Sequence, residues 1–265
     1  SLVGSEMCIR DRAYFMRALT YYRALVVFGD FPIVTTVLED NNDEVVEASK
    51  RSPRNEVARF ILEDLDKAID LLASRSKFSG QRLNREAALL FKSRVALYEG
   101  TFEKYHRNSG RVPGDSEWPG ANADYNSGKI FGIDGEIEFF LTEAIAAAEE
   151  VAGTAQLTSN NHVIEPTVGV TTGWNPYFEM YSQPSLANVT EVLLWKEYNS
   201  ELSVKHNAPY RCKIGCADGY TRTFVEAFLM KNGLPIYAEN SGYQGDTSID
   251  NAKKDRDERL QLFVW

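Results

Sequence analysis

The chain is poor in the residues that build reactive centres. Three cysteines and three histidines are spread over 265 residues, and His106, His162 and His206 have no further His or Cys at ligand spacing. No G-x-S-x-G elbow, P-loop, G-x-G-x-x-G turn or H-E-x-x-H pair occurs. Nucleophile, phosphate-cradle, dinucleotide and zincin chemistries therefore lose their usual sequence carriers. No run of 18 apolar residues is present, so no segment is long and apolar enough to cross a membrane as a helix. Lys and Arg number 29 against 38 Asp and Glu, a net charge of -9 without a basic cluster. That balance argues against a nucleic-acid partner. The residues name no cofactor, metal or catalytic group, and the chain reads as a non-enzyme.

What is present is a hydrophobic content of 43%, enough to bury a sizeable core. Residues 1–12, "SLVGSEMCIRDR", lack the periodicity that begins at Ala13 and resemble a translated sequencing-adapter string. They are set aside as non-native, and Cys8 goes with them. Cys212 and Cys216 remain, at a spacing that fits no common zinc pattern. They read as two unpaired small residues in a loop, with a local disulfide as the alternative.

Helices follow from spacing. Phe15, Leu19, Tyr22, Leu25 and Val26 recur at helical intervals before "FGDFP", where Gly29 can take a positive φ and Pro32 cannot continue a helix. In the next, Pro53 stands at the first turn and Val57, Ile61, Leu65, Ala68 and Leu72 form one stripe. A third places Ala88, Phe91, Val95, Tyr98 and Phe102 on one face, and a fourth places Phe140, Ala144, Ala148 and Val151. Small residues alternating with large ones over paired helices suit a mainly α, tetratricopeptide-like scaffold. The expected helices are 13–28, 55–73, 84–105, 136–152 and 221–231, packed as antiparallel neighbours with little sheet.

The expected organisation is a helical scaffold over 13–152, interrupted by a Gly-, Asn- and Pro-rich insertion at 106–135. A loop-rich region with a short strand at "EVLLWKEYN" would follow over 153–265. The chain stops on an apolar run at Trp265, which predicts truncation there as well as at the start.

Four collinear segments carry a family resemblance: "FMRALTYYRALVVFGDFPIV", "RSPRNEVARFILEDLDKAIDLL", "NREAALLFKSRVALYEGTFEKYH" and "AFLMKNGLPIY...SGYQGD...RDERL". They resemble the SusD/RagB family of nutrient-binding outer-membrane lipoproteins, across roughly residues 13–265. The resemblance implies a helical scaffold bearing an irregular ligand-binding region. It also implies surface capture of an oligosaccharide or other nutrient, handed to a SusC-like, TonB-dependent transporter. An outer-membrane location would then depend on a lipid anchor missing from this fragment. Glu258 stands where the family commonly has Pro. By the same resemblance, the Gly-Asp-Phe-Pro stop would aim the chain away from the scaffold.

A tetratricopeptide-type module that binds peptides is the rival reading, and a glycoside hydrolase the more distant one. Asp64, Asp66 and Asp70 sit at helical positions that suit a solvated face rather than a glycosidase pair. Asp246, Asp250, Asp255 and Asp257 do not follow EF-hand spacing. For sugar binding the aromatics matter. Trp118, Tyr125, Trp174, Tyr177 and Tyr181 lie in polar surroundings where rings can stack on sugar faces and amides such as Asn175 bind hydroxyls. "TTGWNPYFEMY" is the leading segment. Trp174 is expected at an exposed turn, and Tyr177 and Tyr181 share a face if the segment is helical. Trp195, inside "VLLW", belongs to the core.

Overall fold

The computed structural model describes residues 2–211 and 219–264; Cys212, Cys216 and Trp265 lie outside the described residues. Ten α-helices are described: α1 Leu2–Phe28, α2 Asn42–Ala48, α3 Arg54–Leu71, α4 Arg85–His106, α5 Ile133–Ala152, α6 Pro176–Met180, α7 Ala208–Tyr210, α8 Arg222–Glu226, α9 Ile249–Lys253 and α10 Glu258–Phe263. Among the described residues β-pairing is limited to three isolated bridges. The strand expected at 191–199 is absent. The chain forms two compact units, Ser1–Ala155 with Val192–Trp195, and Gln156–Glu191 with Lys196–Trp265.

The first unit is the mainly α, tetratricopeptide-like scaffold. Arg17 pairs with Asp64 and Tyr21 meets Phe60, so α1 and α3 run antiparallel. Lys92 reaches Asp66 while Arg54 reaches Glu99, which gives α3 and α4 the same relation. Arg85 with Glu150, Ser93 with Ala144, and Arg107 with Asp134 do so for α4 and α5. The α3 stripe is inside as expected, with Val57, Ile61, Leu65 and Ala68 all fully buried. At roughly 1.5–3 kcal/mol for each large apolar side chain, such a stripe outweighs any propensity term in setting the helix face. Gly100 stands 3.1 Å, measured from an added Cβ, from Leu141 of α5, so a side chain there would push the helices apart.

Two expectations about this unit are corrected. Val26 is 46% exposed, and the buried apolar positions of α1 are Ala18, Tyr21 and Leu25, with Asp11 buried too. Phe15, Tyr22 and Leu25 pack inward as expected, and Tyr21 widens the face by turning in toward Phe31 and Phe60. Asp64 is fully buried, not solvated: the Arg17 guanidinium holds it at 2.6 and 2.8 Å, and Lys67 lies 3.6 Å away. A long-range partner makes burial of the charge tolerable.

The Gly-Asp-Phe-Pro stop does not send the chain away. Gly29 takes φ +70° and closes α1 by donating to Leu25 O at 2.9 Å. Phe31 and Ser52 then exchange backbone hydrogen bonds of 3.1 Å, and the Tyr21 hydroxyl accepts from Val34 N at 2.8 Å. Asp30 Oδ1 accepts from Arg54 N at 2.9 Å, at the first turn of α3, where Pro53 offers no side-chain cap. Asp30 thus caps a helix 24 residues away in sequence.

The connection between α4 and α5 is packed onto the scaffold. Val112 and Trp118 are buried, and Trp118 Nε1 donates to Asp30 Oδ2 at 2.8 Å. Trp195 is buried as expected. Its backbone N donates to Gly80 O at 3.0 Å and its indole N–H to Ser79 O at 2.8 Å, while Asn84 Nδ2 donates to Leu193 O at 2.8 Å. Residues 192–195 are therefore clamped to the first unit.

The second unit has short helices and many polar anchors. The helix expected at 221–231 is the single turn α8, followed by irregular chain. Arg256 is fully buried: Nη2 donates to Val225 O and Phe228 O at 2.7 Å, and Nη1 to Ala252 O at 3.0 Å. One guanidinium thereby gathers three backbone carbonyls from two stretches of chain.

Candidate functional site

The segment around α6 is organised by Asn175. Its Oδ1 accepts from Phe178 N at 3.1 Å as the N-cap, and its Nδ2 donates to Asn160 Oδ1 and Val163 O at 3.0 and 2.9 Å. Pro176 follows at the first helical position, so cap and proline start the helix together. Asn175 is completely buried with its amide fully engaged. It is a positioning residue.

Trp174 is also buried, with 8% of its surface exposed, which corrects the expected surface turn. Its ring lies 4.7 Å from that of Phe178, its backbone N–H donates to Glu179 Oε1 at 3.0 Å, and its backbone carbonyl accepts from Asn161 Nδ2 at 2.6 Å. The turn of α6 folds the indole inward, where its apolar area is removed from water. Trp118 is corrected in the same way, being 3% exposed.

Tyr177 and Tyr181 do share a face. Their rings are 5.7 Å apart and near-perpendicular, and Tyr181 is 64% exposed. Burial, then its hydrogen bond with Tyr181, pushes the Tyr177 hydroxyl up to about 12. The Tyr177 hydroxyl therefore stays protonated near neutral pH. The pair lines a cleft of about 350 Å³ with Tyr220, Phe224, Phe228 and Phe263. Tyr220 stacks on Phe224 at 5.3 Å, and both are exposed. This platform was missed from sequence, although Tyr220, Phe224 and Phe228 recur every fourth residue. The segment had been read only as a helix.

A second cleft of about 640 Å³ shares Tyr177 and Arg259 with the first and is more polar than it, lined by Asn160, Lys231, Asp257 and Glu258 among others. Arg259 makes bonds of 3.0 and 2.6 Å to Asp257, holding that carboxyl below the usual carboxylate range. Glu258 opens α10 and accepts from Asn160 Nδ2 at 2.7 Å, with His162 Nδ1 at 2.8 Å. The residue that departs from the family's proline thus has a side-chain role. Both carboxylates are committed to neighbours. Tyr125, 43% exposed, and Trp118 belong to the first unit; Trp174, Asn175, Tyr177 and Tyr181 belong to the second. Among the described residues no group of three or more His, Cys, Asp or Glu could hold a metal ion.

Comparisons with known proteins agree with this architecture. Residues 5–97 match the SusD-like family model described as starch-binding and associating with the outer membrane. SusD-like protein P2 of Formosa agariphila is 33% identical over 96 residues, 36% of this chain and 18% of that protein. A crystal structure of a SusD-like protein from Bacteroides fragilis superposes with a TM-score of 0.55 at 20% identity, covering 98% of this chain and 43% of that chain. The chain therefore spans well under two thirds of the proteins it matches.

Proposed function

We propose that this chain, whose sequence and fold matches support assignment to the SusD/RagB family, binds an oligosaccharide without cleaving it. The observation that carries the proposal is the Tyr177–Tyr181 pair, open on an aromatic cleft and bordered by a more polar one. Aromatic faces stack on the C–H face of a sugar ring, and the adjoining amide, ammonium and carboxylate groups bind its hydroxyls. In this reading Tyr177 and Tyr181 touch ligand, Trp174 and Asn175 set their position from beneath, and Tyr125 is a separate exposed contact. Trp118 acts through the connection that carries Tyr125. The first unit serves as scaffold. The intact protein hands its cargo to a SusC-like, TonB-dependent transporter while held at the outer-membrane surface by a lipid anchor.

Titration calorimetry of the chain against a panel of neutral and acidic oligosaccharides tests the proposal, with product analysis to show that the glycans survive. Replacing Tyr181 by Ala should weaken binding by about tenfold, since one stacked ring contributes roughly 0.5–1.5 kcal/mol beyond its buried area. Replacing Trp118 by Ala should lower the melting temperature and leave affinity unchanged. Equal affinity in the parent and in both Tyr181→Ala and Tyr220→Ala would sink the assignment. Cleavage of any panel member would overturn the non-catalytic reading.

A further inference from the structure

A separate hollow of about 320 Å³ lies wholly within the first unit, between the end of α1, the start of α3 and the connection after α4. Two of its charged groups are already committed. Arg54 donates to both Glu99 oxygens at 2.7 Å and lies 3.3 Å from the Phe102 ring centroid. Asp30 accepts from Arg54 N and Trp118 Nε1. Arg51 and Arg111 line the same hollow and are exposed. Neither makes a hydrogen bond or ion pair with any described residue, whereas Arg17, Arg59, Arg85 and Arg107 are each in an ion pair. With Glu99 set against Arg54, the lining keeps one net positive charge in a chain of net charge -9.

The last turn of α1 lines the same hollow. The final carbonyls of a helix have no intrahelical donor, so this wall offers acceptors beside guanidinium donors. Phe28, 59% exposed, adds an apolar ring. A matching ligand carries an anionic oxyacid group, several hydroxyls and one apolar face, and the volume admits about one ring. We propose that the hollow is a second binding site, for an acidic sugar residue whose carboxylate or sulfate is held between Arg51 and Arg111. It is independent of the aromatic cleft.

The test is calorimetric titration of the chain with glucuronate and with glucose 6-sulfate, which separate the two anions, and with glucose and inorganic sulfate as controls. At least one acidic sugar should bind saturably, at least tenfold more tightly than glucose. Arg51→Gln and Arg111→Gln should each weaken it at least fivefold, with unchanged circular dichroism and melting temperature, and Tyr181→Ala should leave it unaltered. Four results would overturn the proposal: no saturable binding of either acidic sugar, equal binding of glucose, indifference to both arginine substitutions, or loss of binding in Tyr181→Ala. Inorganic sulfate binding as tightly as both sugars would mean an adventitious ion only, and would overturn it too.

Discussion

The two units hold their shapes by different means. In the first, long helices bury continuous apolar stripes, and charges such as Arg17–Asp64 and Arg54–Glu99 are paired between helices, the second pair buried. In the second, single side chains bind the backbone: Asn175 starts α6, Arg256 gathers three carbonyls, and Asp257 caps α10. Stability in the scaffold is spread over many contacts. In the second unit it is concentrated in a few polar residues, which leaves aromatic rings free to face solvent.

The largest effect should come from the scaffold's centre. Phe140→Ala, at a fully buried position, should cost about 3–5 kcal/mol by denaturant titration, because the packed neighbours cannot close the void. A loss below about 1 kcal/mol would mean that the stripes are not the principal support. Arg256→Met should cost about 2–3 kcal/mol, since it leaves the Val225, Phe228 and Ala252 carbonyls without their charged donor. Its signature is regional: limited proteolysis should open sites between 219 and 264 while residues 54–106 stay protected. Uniform cleavage of both units would erase the distinction drawn here. Asn175→Ala should cost about 1–2 kcal/mol, a lost cap together with two lost amide bonds, and should weaken glycan binding through Tyr177.

The smallest effect, read at pH 5, concerns Glu103, whose two carboxyl oxygens are buried beside Glu99. Burial, then the neighbouring Glu99 charge, raises its acidity constant to about 9, so it is protonated in the folded protein at pH 7. A raised folded-state value stabilises most below the unfolded value near 4.5, and that contribution is lost as pH climbs toward 9. Glu103→Gln should fall within about 1 kcal/mol of the parent at pH 5 and lose less melting temperature between pH 6 and 9. Parallel pH profiles for the two proteins would refute this protonation state.

The sequence shows most of the scaffold because helical burial repeats locally. Val57, Ile61, Leu65 and Ala68 announce their own face. What it hides are the distant partners. Asp30 meets Arg54 and Trp118, 24 and 88 residues away, and neither pairing leaves a periodic trace. The burial of Trp174 was illegible for a related reason: Gly, Asn and Pro around it signal a turn, but they do not say that the turn folds the ring onto Phe178. The spacing of Tyr177 and Tyr181 was legible because one helical turn decides it, and the Tyr220–Phe224–Phe228 stripe could have been read by the same rule.

The clamp at Trp195 has a consequence for how such a protein can change. It fixes to the first unit the point where the chain returns after its excursion from Gln156 to Glu191, the stretch that carries α6. For a loop held at both ends, length enters the closure entropy only logarithmically, so doubling it costs about 0.6 kcal/mol. Insertions within the excursion should therefore alter what the tyrosines meet while the scaffold barely registers them. Specificity can drift on a fixed foundation, and the toll for each new loop is small.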